Sequence, residues 1–566
     1  MIKMSTQNPR KLRRLLVGGL PLIMEVIERM QLRRILCEYI APHGNERVPA
    51  VDTLILLICN LALGKDPLYE LGPWTDSLDG RCLGYGVKLP EGTFNDDRFG
   101  RSLDKLYRAD RASLMTRLVV RVVNEFKVSM DRVHNDSTSV KAFGKIPGKT
   151  RTGLVLKKGN SKDHRPDLKQ LVFSLSISSD GAVPVHCKSY PGNRTDDTTH
   201  IETWQAIRQI HSAPDFLYVA DSKLCTDEQL SYLVGQGGRA ITIMPETWGE
   251  VSAFKAALRN KRKAKREIWR RQKPGNDLEM EYFSVFKGDH RTSKRGYRIH
   301  WIYSSEKRKR DRTSREEQLR KAERELMELN ARINTRNLKE KADIENAATK
   351  ILQQRKVEPF FHLEIGTARE KSRVQVGKGR PGKHTRYKSR ITNIWTLGWA
   401  RNKQALKDKA NTDGLFPLLC TDKNLSAKEV LQAYKYQPRL EKRFCQFKGI
   451  HHAAPLLFKK IERVDGNMFA FFIALMIQAL IERQVRQKMK ENQRFSLPLY
   501  PEDRQASHPT TAKIMNIFAP VSTYRITSGS RLAEEFKDEL TDTQKTIIEF
   551  FGIPEARFWQ REKTAF

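Results

Sequence analysis

The order of predicted elements between Val128 and Met244 constrains the fold more than any other feature of the sequence. Three strand-like runs come first, separated by turn residues such as Ser179-Asp180-Gly181. Two more strand-like runs follow, and a helical pattern precedes each of them. This β-β-β-α-β-α-β order predicts an α/β fold, a mixed sheet with helices packed on it. The first predicted strand begins at Val133, and the others cover Leu171–Ser178, Val183–Ser189, Phe216–Asp221 and Ala240–Met244. The predicted helices cover Asp197–His211 and Asp227–Gly235.

The chain before this segment has a different pattern of apolar residues. Residues 10 to about 127 carry apolar side chains at helical spacing, and strand-like alternation is scarce there. We therefore predict an all-helical N-terminal domain over residues 1–127. Two interpretations stay open for it: a DNA-binding domain, or a helical scaffold with a basic surface.

After Met244 the regular order of strands and helices stops for well over a hundred residues. Lys255–Lys273 is predicted as a basic helical stretch, and a charged helix is predicted over about 306–354. This charged helix carries a short coiled-coil seam, which favours a helical hairpin within the chain over a dimer zipper. The seam residues are Leu319, Ala322, Leu326, Leu329 and Ile333.

Strand-like segments around these helices predict an inserted subdomain, partly β and partly helical, over residues 246–422. The sheet domain would then consist of two parts, residues 128–245 and residues 423–490. From about Pro498 the chain is punctuated by Pro and Ser with weak periodicity, so we assign no role to the C-terminal segment 491–566.

The net charge points to a polyanionic partner. Lys and Arg number 103 against 66 Asp and Glu, which gives a formal net charge of +37. Nucleic acid is the commonest large polyanion. A membrane surface is the alternative, but such proteins usually carry an amphipathic anchor or a spanning segment. The most hydrophobic run, Met468–Ile481, is shorter than the roughly 20 residues of a spanning helix and predicts a buried core helix rather than membrane association.

The seven cysteines are odd in number, scattered and never arranged as C-x-x-C. This usage is typical of buried thiols in a reducing compartment and not of disulfides or zinc ligands. We therefore expect a cytoplasmic protein.

Two aspartates stand at the ends of predicted strands. Asp136 follows the strand that begins at Val133, and Asp221 ends the strand Phe216–Asp221. If these strands are neighbours, both carboxylates meet at one edge of the sheet, where oxygen ligands suit Mg²⁺ or Mn²⁺. A third carboxylate on an adjacent helix would complete a two-metal site for phosphoryl transfer. On spacing alone the signal is weak, because many aspartates at strand ends simply cap turns or helices.

The residues around the aspartates carry a resemblance to a known family. His134-Asn-Asp136-Ser-Thr138 and Tyr218-Val-Ala-Asp221-Ser resemble the first two acidic motifs of the DDE transposases. The stretches Ser161–Gln170 and Pro191–Asp196 are similar to the same neighbourhood in the insertion-sequence-4 superfamily, closest to its 1634-type branch.

The third acid of that family lies on a helix with a fixed pattern of Tyr, Arg, Glu and Lys. Tyr434, Glu441 and Lys448 hold the positions of the Tyr, the Glu and the Lys in this sequence. The position of the Arg, four residues before the Glu, is Gln437, and an arginine follows as Arg439.

The absence of the arginine at this position affects the assignment of Glu441 as the third acid. A residue two positions away lies about 200° round a helix, so Arg439 replaces the missing arginine only if Pro438 distorts the turn. Otherwise Gln437 would contact DNA through its amide.

The resemblance implies an RNase H-like catalytic core with a β-containing insertion between Asp221 and Glu441. Asp136, Asp221 and Glu441 would be catalytic and would hold two Mg²⁺ ions, for which Mn²⁺ can substitute. The activity implied is cleavage at the ends of the protein's own insertion sequence and strand transfer into target DNA. The partner is double-stranded DNA, on which a homodimer is expected, in the bacterial nucleoid. Four residues would bind this DNA: Tyr434, Gln437, Arg439 and Lys448.

Two other functions remain as alternatives. One is a decayed transposase that only binds DNA, which the Gln437 departure favours. The other is an RNase H-like nuclease that acts on RNA or hybrids without joining strands. The acids Asp163, Asp167 and Asp196 are rivals of the assigned ligands, and His164 and His451-His452 are nearby histidines without a zinc pattern.

A segment close to a phosphate-binding P-loop is set aside. Gly377–Thr385 nearly fits G-x-x-x-x-G-K-[ST], but His384 stands where Mg²⁺ chemistry needs a hydroxyl, and a strand-like pattern follows. A basic loop that lies along a DNA groove is the better interpretation.

Overall fold

The computed structural model describes residues 10–561, with short gaps in between. The gaps are residues 43, 45, 47, 65–66, 85–90, 143–145, 147, 152, 160–166, 195–198, 212–214, 261–263, 274–275, 288–290, 336, 451–457 and 530. The chain forms two compact units. The first unit consists of residues 1–242 and 431–566, and the second unit consists of residues 243–430.

The helices and strands follow one another along the chain in a mixed order. Up to the first sheet they are β1 (Arg10–Leu16), α1 (Leu20–Arg29), α2 (Leu32–Tyr39), α3 (Ala50–Leu63), α4 (Leu71–Asp76), α5 (Asp96–Arg108), α6 (Arg111–Phe126), β2 (Arg132–Ala142), β3 (Lys169–Ser178), β4 (Pro184–Pro191), α7 (His200–Ile210), β5 (Leu217–Val219), α8 (Asp227–Gly235) and β6 (Arg239–Ile243). The next are α9 (Gly249–Asn260), β7 (Lys265–Lys273), β8 (Asn276–Phe286), β9 (Arg298–Ser304), α10 (Ser305–Asn330), α11 (Lys341–Gln354), β10 (Phe361–Gln375), β11 (Tyr387–Arg401), α12 (Lys403–Ala410), β12 (Leu415–Cys420) and α13 (Ala427–Tyr434). The last are α14 (Pro438–Cys445), α15 (Ile461–Glu491), β13 (Leu497–Pro498), β14 (Gln505–Ala506), α16 (Thr511–Phe518), β15 (Ser522–Ser528), β16 (Arg531–Lys537), α17 (Asp542–Phe550) and α18 (Glu555–Trp559).

The first unit contains the mixed sheet that the sequence predicts. Its strands lie in the order β4-β3-β2-β5-β6. Strands β4, β3 and β2 are antiparallel to one another, whereas β5 is parallel to both β2 and β6. Nearly every residue of β3 is buried, which explains why this strand is an almost continuous apolar and small-polar run. The predicted helices and strands of this region all form, with bounds that differ by a few residues.

A long apolar helix fills the interior of the first unit. Helix α15 packs against α1, α3, α5 and β4, and its residues are buried on all sides from Val464 to Arg483, as expected for a helix that is apolar all round. At Gly466 an added Cβ would lie 2.8 Å from the carbonyl oxygen of Leu103, so only glycine permits this close approach. By length and composition α15 would suffice to cross a membrane, and its most apolar window is 100% buried within the protein. The predicted core run Met468–Ile481 lies inside it.

The prediction of an all-helical N-terminal region is wrong at its start. Residues of β1 pair antiparallel with β15 from Arg10↔Ser528 to Leu16↔Ser522, and β15 pairs with β16. A partner about 500 residues away leaves no local signal, because Arg, Lys and Leu also suit helices. From α1 to α6 the chain is helical as predicted, and the C-terminal segment closes this three-stranded sheet.

The second unit contains an antiparallel sheet and a helical hairpin. Its strands lie in the order β12-β9-β8-β7. Helices α10 and α11 pack on each other through the predicted seam, which confirms the intramolecular hairpin. The prediction of a continuous basic helix over Lys255–Lys273 is wrong, because α9 ends at Asn260 and β7 begins at Lys265. Stacking of Trp269 on Phe283 of β8, with ring centroids 5.2 Å apart, accompanies the strand, an example of sheet packing that overrides helix propensity.

A two-stranded ribbon of β10 and β11 belongs to the same unit. Its antiparallel pairing runs from Phe361↔Arg401 to Gln375↔Tyr387. The segment close to the P-loop pattern, Gly377–Thr385, lies in the connection between the two strands, and a strand follows it rather than a helix. This placement removes the context that a P-loop requires.

Candidate active site

The two predicted aspartates lie on neighbouring segments of the sheet. Asp136 is inside β2 and not at its end as predicted, whereas Asp221 lies two residues beyond the last residue of β5. In the parallel pair β2–β5, His134 is the partner of Val219, and Asp136 and Asp221 each come two residues later. Neighbouring strands lie about 4.8 Å apart, so the register brings the backbones of the two aspartates close together. Both aspartates are half-buried.

The backbone on both sides of this pair is held by hydrogen bonds. The amide of Asn135, buried beside Asp136, donates to Ser174 Oγ at 3.1 Å and to Ser176 Oγ at 2.9 Å and so fixes β2 to β3. The hydroxyl of Thr242 donates to the carbonyl oxygen of Asp221 at 2.5 Å. The carboxylate of Asp221 also caps a short turn by accepting from the backbone N–H of Lys223 at 2.9 Å.

The third predicted acid lies after a break in the chain that the sequence pattern does not indicate. The expectation that Tyr434, Glu441 and Lys448 lie on one helix is wrong: α13 ends at Tyr434, α14 begins at Pro438, and a π-helical turn, Gln446–Ile450, follows α14. Proline has no N–H to donate to the residue four positions earlier, and its ring clashes with that carbonyl. Tyr434 and Glu441 therefore do not share the face of a single helix.

The three acids nevertheless gather around Tyr434. Its pKa is raised to about 12, first by burial and then by the negative charges of Asp221, Asp136 and Glu441. Charges shift a neighbouring pKa in this way only at short range. The acids thus come from β2, from the end of β5 and from α14 and share one neighbourhood. The phenol stays protonated at neutral pH, so its O–H is available as a hydrogen-bond donor.

Gln437 holds α14 against β2. Its amide nitrogen donates to the carbonyl oxygen of Asn135 at 3.0 Å, and its amide oxygen lies 3.2 Å from His134 Nδ1. Burial lowers the pKa of His134 to about 4, so the imidazole is neutral and donates from Nδ1 to the amide oxygen. We call these three residues, His134, Asn135 and Gln437, the Gln437 clamp. It joins the start of the helix that carries Glu441 to the residue before Asp136.

The clamp corrects the prediction for Gln437. Its side chain is buried and both ends of the amide have protein partners, so the amide does not face outward to contact DNA. The substitution of Gln for Arg at this position is visible in the sequence, but the partner of the glutamine is not. A buried histidine in the first motif is the one signal that could have suggested it.

The other predicted DNA contacts lie apart from one another. Arg439 lines a cavity with Arg443 and Arg486. Arg439 is nearly opposite Glu441 on α14, as a separation of two residues requires. Lys448 lies half-buried in the π-helical turn. Of the rival acids and nearby histidines, Asp167 is exposed just before β3, whereas Asp163, Asp196, His164 and His451-His452 lie outside the described residues.

The donor set suits a hard divalent cation. Asp136, Asp221 and Glu441 offer only carboxylate oxygens, the ligands that Mg²⁺ and Mn²⁺ prefer. Glu441 is exposed, so its side chain is free to turn on its helix. In the side-chain positions of the structure, no group of three His, Cys, Asp or Glu residues among those described is gathered closely enough to hold a metal ion. The residues fit the metal in the type of their ligand atoms.

Comparisons with known proteins add little to this site. A family model described as a domain of unknown function (DUF4277) matches residues 13–120. No curated protein matches the sequence. Among solved structures, the cryo-EM structure of a piggyBac transposase synaptic complex with hairpin DNA is similar over 89% of this chain and 78% of that chain, with 7% sequence identity and a TM-score of 0.34. At that identity and TM-score the likeness says nothing about the activity of this chain.

Proposed function

We propose that this protein is a metal-dependent DNA transposase of the DDE type, which cleaves DNA at the ends of its own insertion sequence and transfers the strands into a target. The observation that carries the proposal is the electrostatic grouping of Asp136, Asp221 and Glu441 around Tyr434. These acids are distant in sequence, and the charge of each acts on Tyr434. They are also the three acids of the motif resemblance, which leads us to retain the insertion-sequence-4 superfamily and its 1634-type branch as the proposed family.

The topology of the first unit supports an RNase H-like core. Three antiparallel strands, β2 to β4, are followed by two parallel strands that add on the other side of β2. Strand β2 therefore becomes central and carries Asp136, while its parallel neighbour β5 leads to Asp221. The third acid comes from a helix that the Gln437 clamp holds against the central strand.

Each residue of the group has a proposed task. Asp136, Asp221 and Glu441 would hold two Mg²⁺ ions, which when bound activate the attacking hydroxyl and stabilise the leaving oxygen of an in-line phosphoryl transfer. The neutral phenol of Tyr434 donates a hydrogen bond to a phosphate oxygen. Lys448 contacts the DNA backbone, for which an ammonium group is a natural partner. The Gln437 clamp keeps α14 in position and does not contact DNA.

The β10–β11 ribbon supports DNA as the partner. Between Thr367 and Ile394 the ribbon and its connection carry nine Lys and Arg against a single Glu, and almost every residue is exposed. A two-stranded ribbon is also one of the shapes that the major groove of DNA admits. Basic residues alternate along β10, and residues two apart on a strand lie about 6.8 Å from each other on one face. We expect this surface to follow phosphates rather than to recognise bases.

Cleavage of DNA that flanks the gene tests the proposal. A linear duplex carrying both flanks is incubated with the wild type, with Glu441→Gln and with Glu228→Gln, in Mg²⁺ and in EDTA. Glu228 is an exposed acid in the first turn of α8 and serves as a matched control. We expect discrete, Mg²⁺-dependent breaks at the element ends and joining to a second duplex with the wild type and the control, and no product with Glu441→Gln.

Other outcomes would identify the alternatives. Binding of the duplex without breaks in any protein favours a protein that only binds DNA. Cleavage of RNA or hybrids without joining favours a nuclease. Breaks that persist in Glu441→Gln mean that another residue is the third acid. A homodimer on DNA and a place in the bacterial nucleoid belong to the same proposal, because transposition requires the synapsis of two ends.

A further inference from the structure

A basic cavity lies on the side of α14 that is opposite to Glu441. It has a volume of about 400 Å³ and lies between α14, α15 and the turn between β3 and β4, all in the first unit. Its cationic lining residues are Arg439, Lys442, Arg443, Arg483, Arg486 and Lys490. Two acids, Asp180 and Glu482, line it as well.

The two acids neutralise only part of this charge. Glu482 Oε2 lies 3.0 Å from Arg443 and 3.4 Å from Arg486, and Asp180 pairs with Arg483 at 2.7 Å. Within the described part of the chain, the other three cations, Arg439, Lys442 and Lys490, form no ion pair. The cavity therefore keeps an excess of positive charge next to a helix that leads into the active site.

One residue of the cavity wall carries an unsatisfied donor. Nε of Arg486 is buried and has no hydrogen-bond partner among the described residues, while Nη2 of the same side chain donates to the carbonyl oxygen of Pro509 at 2.8 Å. Burial lowers the pKa of Arg486. The charge of Glu482 opposes this effect, and the charges of Arg443 and Arg439 add to it. Cations held this close together repel one another, so an anion in the cavity would relieve the repulsion.

His508 lines the same cavity as a neutral group. Burial lowers its pKa, and Arg439, Arg486 and Lys442 add to this effect. Its imidazole would thus supply a hydrogen bond rather than a further charge. A site with several guanidinium and ammonium donors around a small volume matches the geometry of a phosphate group, which accepts hydrogen bonds on several oxygens.

We propose that the cavity between α14 and α15 is a phosphate-binding site, which uses Arg439, Lys442 and Arg486 to hold a phosphate group of DNA or of a small phosphate compound. This inference goes beyond the proposed function, because it requires neither a metal ion nor cleavage. It assigns Arg439 to a pocket on the rear side of α14 instead of to the front beside Glu441.

Calorimetric titration with inorganic pyrophosphate tests the site, without metal and without DNA. The double variant Arg439→Gln/Lys442→Gln removes two unpaired cations and spares the ion pairs that join α14 to α15. Lys545→Gln, an exposed lysine on α17 outside the cavity, is the matched control. We expect pyrophosphate to bind the wild type and the control alike, and roughly tenfold or more weaker binding to the double variant, as charged hydrogen bonds of this kind predict.

Several results would overturn the proposal. These are no binding to the wild type, equal binding to the double variant, or an equal loss in Lys545→Gln, which would indicate a general effect of charge. Melting curves without ligand show whether the double variant is folded, and Lys490→Gln provides a second test at another unpaired cation. The variant Glu441→Gln should bind pyrophosphate normally, so a failure of the phosphate site and a failure of the transposase proposal are distinguishable.

Competition identifies the source of the phosphate. If a DNA duplex displaces pyrophosphate from the wild type, the site takes phosphates of the DNA backbone. If the duplex binds without displacing pyrophosphate, the site takes a small phosphate compound. Both results support the site, and they assign it different occupants.

Discussion

The strand pair β2–β3 of the first unit and the ribbon of the second unit are both made of long antiparallel strands, yet they place most of their polar residues in opposite ways. In β2 and β3 the polar side chains are buried, as with Asn135, whose amide bonds to two serines. In β10 and β11 both faces are exposed over most of their length, and basic residues stand at alternate positions.

This difference separates two kinds of function. A side chain in the sheet has a defined partner, so a single change removes an interaction that nothing else replaces. A lysine in the ribbon is one of many equivalent charges, so a single change removes only its share of the attraction to a polyanion. The effects of mutations in the two regions should therefore differ in size and in kind.

The largest effect is expected at the acid group. Asp136→Asn removes a proposed metal ligand while it keeps the size of the side chain. A metal ligand contributes several kcal/mol of transition-state stabilisation. Because each tenfold change in rate corresponds to about 1.4 kcal/mol, we expect the cleavage rate to fall about a thousandfold. Single-turnover cleavage measures the rate, and gel retardation should show that DNA affinity changes by no more than a few-fold. A loss of affinity as large as the loss of rate would remove the distinction between the two regions.

Stability should show the same contrast between the two kinds of strand. Phe173 of β3 is fully buried and stacks on Phe447 with ring centroids 5.0 Å apart. We expect Phe173→Ala to lower the free energy of unfolding by about 3–5 kcal/mol. Ile391 of β11 is 64% exposed, so Ile391→Ala should change it by about 0.5 kcal/mol or less. Denaturant unfolding of the two variants measures both values, and similar losses would contradict the difference in burial between the two strands.

The Gln437 clamp should affect the rate without affecting binding. Gln437→Ala leaves His134 and the carbonyl oxygen of Asn135 without their partner and loosens α14 near Glu441. We expect a loss of about 10–100-fold in the cleavage rate, as is common for residues that position ligands, with DNA affinity unchanged. If Gln437→Ala weakens DNA binding instead, the residue contacts DNA as the family resemblance implies.

The ribbon should contribute through its total charge. The triple change Arg369→Gln, Lys371→Gln and Arg373→Gln removes the cations of one face of β10. We expect the slope of log affinity against log salt to fall by up to about 0.9 for each phosphate contact that is lost. Any one of the three changes alone should weaken binding only slightly. A single change with an effect as large as that of the triple would indicate a specific contact.

The smallest effect concerns acid pH. His186 of β4 is buried, and burial lowers its pKa to about 4, so the folded protein keeps this imidazole neutral. As the pH falls below the ordinary histidine pKa of about 6.5, the unfolded chain takes up a proton on this imidazole before the folded protein does. The free energy of unfolding therefore declines between this pH and about pH 4. Melting temperatures at pH 7.5 and pH 5 should differ less in His186→Gln than in the wild type. His362→Gln, at an exposed position of β10, is the control.

Much of the sheet was predictable because its strands and helices have strong local patterns. The order of elements from β2 to β6 follows from apolar runs and turns. Asp221 follows the end of its strand as predicted, whereas Asp136 lies inside β2, because the polar residues after it continue to pair with β3. The predicted inserted subdomain, 246–422, lies within the second unit, 243–430. The RNase H-like assignment, the metal and the roles of the site residues stay predictions.

The features that were not predictable depend on contacts between distant residues. The pairing of β1 with β15 and the Gln437 clamp each join segments about 300 to 500 residues apart. The break between α13 and α14 is different, because Pro438 was visible, yet the spacing of Tyr434, Glu441 and Lys448 suggested one helix. The cavity behind α14 gathers cations from two helices, and the order of basic residues along the chain does not reveal such a grouping.

Binding of Mn²⁺ tests the central claim, that Asp136, Asp221 and Glu441 act as one metal site, most directly. Mn²⁺ is titrated into the wild type, into Asp136→Asn, Asp221→Asn and Glu441→Gln, and into the control Glu228→Gln, with free Mn²⁺ followed by electron paramagnetic resonance. We predict binding to the wild type and the control and clearly weaker binding to each of the three variants. Binding to all five proteins with equal affinity would contradict the account, because the three acids would then not hold a metal together.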